Sequence, residues 1–201
     1  MMAKPSILLA IVAPLLLLPA PVAAQGVTGG TTSESDGVGG RDLSFEGSVA
    51  PACVMRQPNP VRQNNATVTV GTTGDVNVDL QSGFLDRTTG VPNAVDVAIS
   101  FPITCNTAHS IHVESQRGGL VNPAVTGTDG PFRSRLDFTL ELRWAGGTQT
   151  FDTTSARMMD VAIPNAATGS ADVRIAIPGG GTPLVAGIYS DTIIIQIEAT
   201  S

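Results

Sequence analysis

The sequence is poor in aromatic residues, in basic residues and in catalytic motifs. Aromatic residues make up 4% of its 201 residues, and Lys4 is its only lysine. Acidic residues outnumber basic ones by 17 to 11, which argues against a nucleic-acid or anionic-membrane partner. There is no GxSxG nucleophile elbow, calcium-loop pattern or glycine loop opening a helix. The sequence therefore predicts a protein that is not an enzyme and holds neither metal nor cofactor.

Long apolar runs are also scarce, and the longest, residues 7–18, is too short to span a bilayer. It follows Lys4 and precedes small residues at 22–24, a pattern typical of a secretory signal peptide. A buried core helix is the alternative. We expect residues 1–24 to be removed on export, leaving 177 residues with ten arginines, a formal net charge of about −7 and no membrane insertion.

The next segment, residues 25–41, is rich in glycine, serine and threonine and is expected to be a flexible leader. The domain is expected to cover residues 42–201. At its start, Leu43, Phe45 and Val49 alternate with polar residues until Pro51, which predicts a strand over residues 42–49.

Two cysteines, Cys53 and Cys105, are the only ones in the chain. In an exported protein they predict one disulfide, which would stabilise the fold by about 4 kcal/mol through loop closure. Two buried free thiols are the alternative. Cys105 ends an alternating apolar run that starts at Val95.

Short alternating segments recur along the domain, separated by glycine and proline turns, and no window shows sustained helical periodicity. This pattern predicts an all-β protein, a two-sheet antiparallel β-sandwich. The predicted strands cover residues 66–70, 76–80, 95–105, 110–115, 136–144, 161–163 and 171–177.

The last apolar segment, residues 183–199, alternates from Tyr189 onward, which predicts a half-buried strand with no strand after it in this sequence. Because its backbone groups need neighbours, we expect its sheet to be completed from elsewhere, by this chain or by another copy. The residues on its core face are Tyr189, Asp191, Ile193, Ile195 and Ile197.

Few other residues suggest chemistry. His109 and His112 with Glu114 could hold a metal or serve a secreted hydrolase, but on a strand positions 109 and 112 point to opposite faces. Trp144 is interpreted as a core residue in preference to a carbohydrate-binding platform. Residues 65–67 match the short glycosylation triplet.

Three motifs, in chain order, carry a resemblance to a known family. Residues 186–192 (AGIYSDT), followed by alternating apolar residues, resemble the C-terminal signature of the spore coat protein U family, which includes subunits of archaic chaperone-usher pili. Residues 103–107 (ITCNT), with the strand after them and Gly118-Gly119, resemble its central cysteine strand. Residues 43–49 with Cys53 resemble the first strand of pilins.

The resemblance implies an immunoglobulin-like sandwich that lacks its last strand. In such families a periplasmic chaperone lends a strand, and in the fibre the N-terminal arm of the next subunit replaces it. An outer-membrane usher assembles the subunits. The donor strand is then expected within residues 38–49, with side chains Val38, Leu43, Phe45 and Val49.

The leading hypothesis is therefore a structural subunit of a surface fibre that serves adhesion or biofilm formation, reaching the cell surface through the periplasm. Its partners would be the chaperone, the usher and other subunits. The alternative is a self-complete secreted sandwich, a coat or binding module in which residues 43–49 complete their own sheet.

Overall fold

The computed structural model describes the backbone of residues 6–10, and residues 44–72, 74–125 and 130–200 in full. Every regular element in these segments is a β-strand, which confirms the all-β prediction, and none of them contains a helix able to cross a membrane. The strands are β1 (Ser6–Ala10), β2 (Cys53–Met55), β3 (Asn59–Asn64), β4 (Ala66–Val70), β5 (Val76–Leu80), β6 (Val95–Cys105), β7 (His109–Ser115), β8 (Leu120–Val121), β9 (Arg135–Leu136), β10 (Thr139–Trp144), β11 (Gly147–Asp152), β12 (Met158–Ile163), β13 (Ala167–Ile177) and β14 (Thr192–Ala199).

The strands form two large sheets and one small one. The first sheet has the order β12-β7-β14-β1-β5-β4, and the second has the order β11-β10-β13-β6-β2, with β3 also pairing with β6. The pair β8 and β9 forms the small sheet. All the pairs are antiparallel except β1 with β14, which is parallel. The predicted antiparallel arrangement is therefore confirmed for all but one strand pair.

The core comes from the apolar face of each large sheet. Residues along β6 alternate between buried and partly exposed, and β6 pairs with β13 over its full length. The matching faces of β5, β7 and β14 are buried in the same way and belong to the same apolar cluster. A period of two with one face buried is what an amphipathic strand produces, and the two faces together make a β-sandwich.

The chain passes from the second sheet to the first at four corners: between β3 and β4, between β6 and β7, between β11 and β12, and between β13 and β14. At the first corner Asn65 has a positive φ of 55°, which asparagine tolerates better than most residues. Its side-chain Nδ2 donates to the Ala94 carbonyl at 2.7 Å. Asn65, the asparagine of the glycosylation triplet, therefore has a structural role at this corner.

The disulfide prediction is confirmed, because Cys53 and Cys105 are joined. The two residues stand opposite each other in the register of β2 and β6. The disulfide fixes the short strand β2 to the long central strand β6, at the end of β6 that leads into β7.

Two strand predictions need correction. Residues 136–144 form β9 and β10 rather than one strand, because Thr153 bonds to Phe138 at the break: Thr153 Oγ1 accepts from Phe138 N at 2.9 Å, and Thr153 N donates to Phe138 O at 3.0 Å. The predicted strand over residues 42–49 is wrong for the residues that the structure describes, since residues 44–52 form no strand and are exposed. Alternation shows which face of a strand could be buried, but a strand also needs a neighbour.

The hairpin between β10 and β11 turns through two residues with positive φ, Ala145 at 49° and Gly146 at 79°. Two positive φ values are typical of the tight turns that suit the twist of antiparallel strands. Glycine adopts positive φ at little cost, whereas alanine pays a conformational cost because the alanine Cβ approaches the backbone.

We therefore expect Ala145→Asn to raise the free energy of unfolding by about 0.5–1 kcal/mol, since asparagine adopts this backbone conformation at lower cost. Denaturant unfolding of the two proteins measures the change. The control is Ala162→Asn on the exposed side of β12, where asparagine is disfavoured and should not stabilise. A loss of stability at position 145 would contradict the expectation.

Candidate strand-binding site

The strand β14 lies in the interior of the first sheet and has one fully paired edge. Its Ile193, Ile195 and Ile197 are buried in the core, as the sequence predicted for this face. On one side β7 pairs with it over seven consecutive residues, Ile193 to Ala199. Alternating isoleucines with a complete neighbour explain why this segment is a strand and why it is held firmly.

The other edge of β14 faces β1. Ser6–Ala10 runs parallel to β14 with Leu8 opposite Thr192, Leu9 opposite Ile193 and Ala10 opposite Ile194. The same segment runs antiparallel to β5, from Ser6 opposite Asp79 to Leu9 opposite Val76. One strand of five residues thus joins the two halves of the first sheet.

Adjacent strands are about 4.8 Å apart, so β14 and β5 are separated by about 10 Å, the width of one intervening strand. We call this position between β14 and β5 the slot. Its two sides are lined towards the core by apolar residues, and a strand placed there must present apolar side chains to the same core. The lining residues are Val76, Val78, Leu80, Ile193, Ile195 and Ile197.

The described part of β1 covers only the start of β14. The pairing of β1 with β14 stops at Ile194. Among the described residues, no strand pairs with this side of β14 from Ile195 to Ala199. The backbone groups on this side of a strand form a template for a further strand. An extended peptide in the place of β1 could therefore pair along more of β14 than Thr192 to Ile194.

The start of β14 is held by a buried carboxylate, Asp191. The carboxylate accepts hydrogen bonds from the backbone N–H of Arg117 at 2.9 Å, Gly119 at 3.2 Å and Thr192 at 2.8 Å, and from the Ser115 hydroxyl. A buried charge is stable only when its hydrogen bonds are made. Asp191 therefore ties the first residue of β14 to the turn that ends β7.

Tyr189 is the second anchor at this end of the strand. Its buried hydroxyl lies 2.8 Å from the Val185 carbonyl and 3.0 Å from the Arg133 carbonyl, and donates its one proton to either. Gly187 packs close to Asn122, and a Cβ at Gly187 would lie 2.2 Å from Asn122 Nδ2. The glycine, tyrosine and aspartate of residues 186–192 thus each have a structural role at the entry to β14.

The predicted donor residues divide into two groups. Val38 and Leu43 lie outside the described residues. Phe45 is 88% exposed and Val49 is 85% exposed. Two large apolar side chains on the same alternating register are therefore in solvent.

The two histidines lie on opposite faces of β7, as the sequence predicted. His109 is buried and accepts a hydrogen bond from Trp144 Nε1 at 2.8 Å. His112 is on the outer face, with Nδ1 2.7 Å from Asp160 and Nε2 3.8 Å from Glu114. They cannot act on one metal or one substrate together. Buried Trp144 is a core residue.

Shifted pKa values occur away from the slot. Asp96 lies 2.8 Å from Arg174 Nε and 2.8 Å from Arg62 Nη1, and the hydrogen bond from Arg174 is the main reason that the pKa of Asp96 is lowered. The pKa of Asp86 is lowered mainly by the Thr89 N–H, and that of Asp152 mainly by the Thr154 hydroxyl. Each of these carboxylates is hydrogen-bonded to arginine or threonine residues close to it.

No protein-family model matches the chain, and no curated protein matches it either.

We expect Asp191→Asn to lower the free energy of unfolding by about 2–4 kcal/mol, because an amide cannot accept all four hydrogen bonds and presents a donor to other donors. Thermal or denaturant unfolding measures the loss. The control is Glu198→Gln on the same strand, where the side chain is exposed and the change should stay within about 0.5 kcal/mol. Equal stability of the two variants would contradict the anchoring role of Asp191.

Proposed function

We propose that the chain is an exported structural subunit of a surface fibre, and that its slot receives a strand from another chain. The observation that supports this most is the location of β1. The strand that fills the slot, Ser6–Ala10, belongs to the segment that the sequence predicts to be removed on export. In the exported form the immunoglobulin-like sandwich would then lack one strand.

Loss of β1 would expose two strand edges and the apolar core beneath them. Unpaired backbone groups at such edges bind other strands, and an exposed apolar groove must be covered. A strand from a second protein meets both needs by β-augmentation: its main chain supplies the hydrogen bonds and its alternate side chains fill the core. Four buried apolar side chains would contribute about 6–12 kcal/mol before ordering costs.

The donor is proposed to be the N-terminal arm of the next subunit. Phe45 and Val49 are almost fully exposed, so they are available to a neighbour. Val38 and Leu43 would extend the same alternating face. A periplasmic chaperone would cover the slot before assembly, and an outer-membrane usher would exchange its strand for the arm.

Two further features agree with this proposal. The disulfide Cys53–Cys105 suits a protein that folds in an oxidising compartment after export. The Tyr189 hydroxyl bonds to a backbone carbonyl four residues upstream, an arrangement similar to the tyrosine corner of immunoglobulin-like sandwiches.

The test uses the chain starting at Gln25, produced in the periplasm with its chaperone and usher. The double variant Phe45→Asp with Val49→Asp should abolish polymers, because two carboxylates would enter the apolar slot of the next subunit. The control is Ser44→Asp with Ser48→Asp, which adds the same charge on the opposite side of the arm. Denaturing gels of unheated and boiled samples should show a heat-sensitive ladder for the parent and the serine control alone.

All four substituted residues are exposed, so the stability of the folded subunit should not change in either variant. A ladder that persists in the Phe45 and Val49 variant would contradict strand donation by this arm. A folded, stable monomer for the parent itself would support the self-complete secreted module instead.

A further inference from the structure

Three loops lie at one end of the slot. Because β1 runs parallel to β14 and antiparallel to β5, the start of β14 and the end of β5 are at the same end. The loops there are residues 81–94 after β5, residues 130–134 before β9 and residues 178–191 before β14. We call this the entrance end of the slot.

Backbone hydrogen bonds join these three loops. Leu184 N donates to the Gly90 carbonyl at 3.2 Å, which connects the third loop to the first. Arg133 N donates to the Pro183 carbonyl at 2.9 Å, and Val185 N donates to the Arg133 carbonyl at 3.0 Å. The second loop is thereby connected to the third, and the three loops form one continuous surface.

This surface exposes one large apolar side chain from each loop. Leu85 is 37% exposed, Phe132 is 47% exposed and Ile188 is 48% exposed. We call these three side chains the entrance patch. Large apolar side chains exposed on joined loops are typical of a surface that another protein covers.

The short connection between the arm and the sandwich identifies the partner. Only residues 50–52 separate Val49, a donor residue, from Cys53, the first residue of β2. The four steps from Val49 to Cys53 cover at most about 14 Å when the chain is fully extended. A copy whose arm fills the slot must therefore have its sandwich against one end of that slot.

We propose that the entrance patch binds the sandwich of the copy whose arm fills the slot. This inference rests on the proposed function, because it requires a donated arm. The donor presents Val54, which follows the disulfide residue Cys53 and is 55% exposed. Apolar side chains of the two copies cover each other there. Because the two surfaces differ, the contact is head-to-tail and can repeat along a fibre.

The location of the patch determines the direction of the bound arm. A donor at the entrance end places the last arm residues beside the start of β14, so the arm runs antiparallel to β14, the reverse of β1. Antiparallel pairing is slightly more stable per residue than parallel pairing. Since β14 has eight residues and β5 has five, this direction gives the longer strand the more stable pairing.

The experiment combines Val54→Cys and Ile188→Cys in the chain starting at Gln25, produced in the periplasm with its chaperone and usher. A short bismaleimide then links cysteines that lie close together, and the native cysteines do not react because they form the disulfide. Within one chain the two new cysteines lie towards opposite ends of β14, a strand about 23 Å long. A link must therefore join two copies.

We expect cross-linking to turn the heat-sensitive ladder into one that survives boiling with reductant. The control is Val54→Cys with Thr150→Cys on the exposed part of β11, whose ladder should stay heat-sensitive. A heat-sensitive ladder in the Ile188 variant would overturn the contact at the entrance patch and leave strand donation standing. A parent without any ladder would overturn the proposed function and this inference with it.

A second pair of variants tests whether the contact supports assembly. Phe132→Asp with Ile188→Asp should lower the amount of polymer several-fold, because two carboxylates would be covered by an apolar surface. The matched control is Val61→Asp with Met158→Asp, which replaces two exposed apolar side chains on β3 and β12. Denaturant unfolding checks that each subunit remains folded. Equal amounts of polymer in the two variants would overturn the proposal.

Discussion

The structure depends on backbone hydrogen bonding at two strand edges that do not meet. β14 and β5 belong to the same sheet and line the same core, yet one strand must stand between them. A buried peptide group without a partner costs free energy comparable to a lost hydrogen bond, and a row of them cannot be left empty. The occupant in this structure, Ser6–Ala10, is the segment whose composition predicts an export signal.

Contacts with the rest of the sandwich hold β14 in position along its side of the slot. Asp191 and Tyr189 fix the start of β14, and β7 pairs with the rest of its opposite edge. At the far end, Thr200 N donates to the Ala108 carbonyl at 2.9 Å, just before β7 begins. A strand edge held at both ends loses little freedom when it binds a peptide, which favours affinity.

Much of this could be predicted from the sequence where alternation and burial coincide. Residues 95–105, 171–177 and the isoleucines of β14 are core faces because their apolar side chains repeat with period two. The disulfide followed from two cysteines in a chain that the sequence predicts to be exported. Strand β3 is fully exposed and could not be predicted, because it has no buried apolar face. The break between β9 and β10 at Phe138 could not be predicted either, because it depends on Thr153, fifteen residues away. The pairing of residues 6–10 with β5 and β14 could not be predicted either, because it depends on contacts between distant parts of the chain.

The most direct test of the central claim is the free energy of unfolding of residues 50–201, measured with and without a synthetic peptide of residues 38–49. If the slot needs a strand from outside, this truncated chain will be markedly unstable alone, and the peptide will stabilise it in proportion to the logarithm of its concentration. A peptide with Phe45 and Val49 replaced by aspartate should have no effect. A truncated chain that is fully stable alone and indifferent to either peptide would contradict the account.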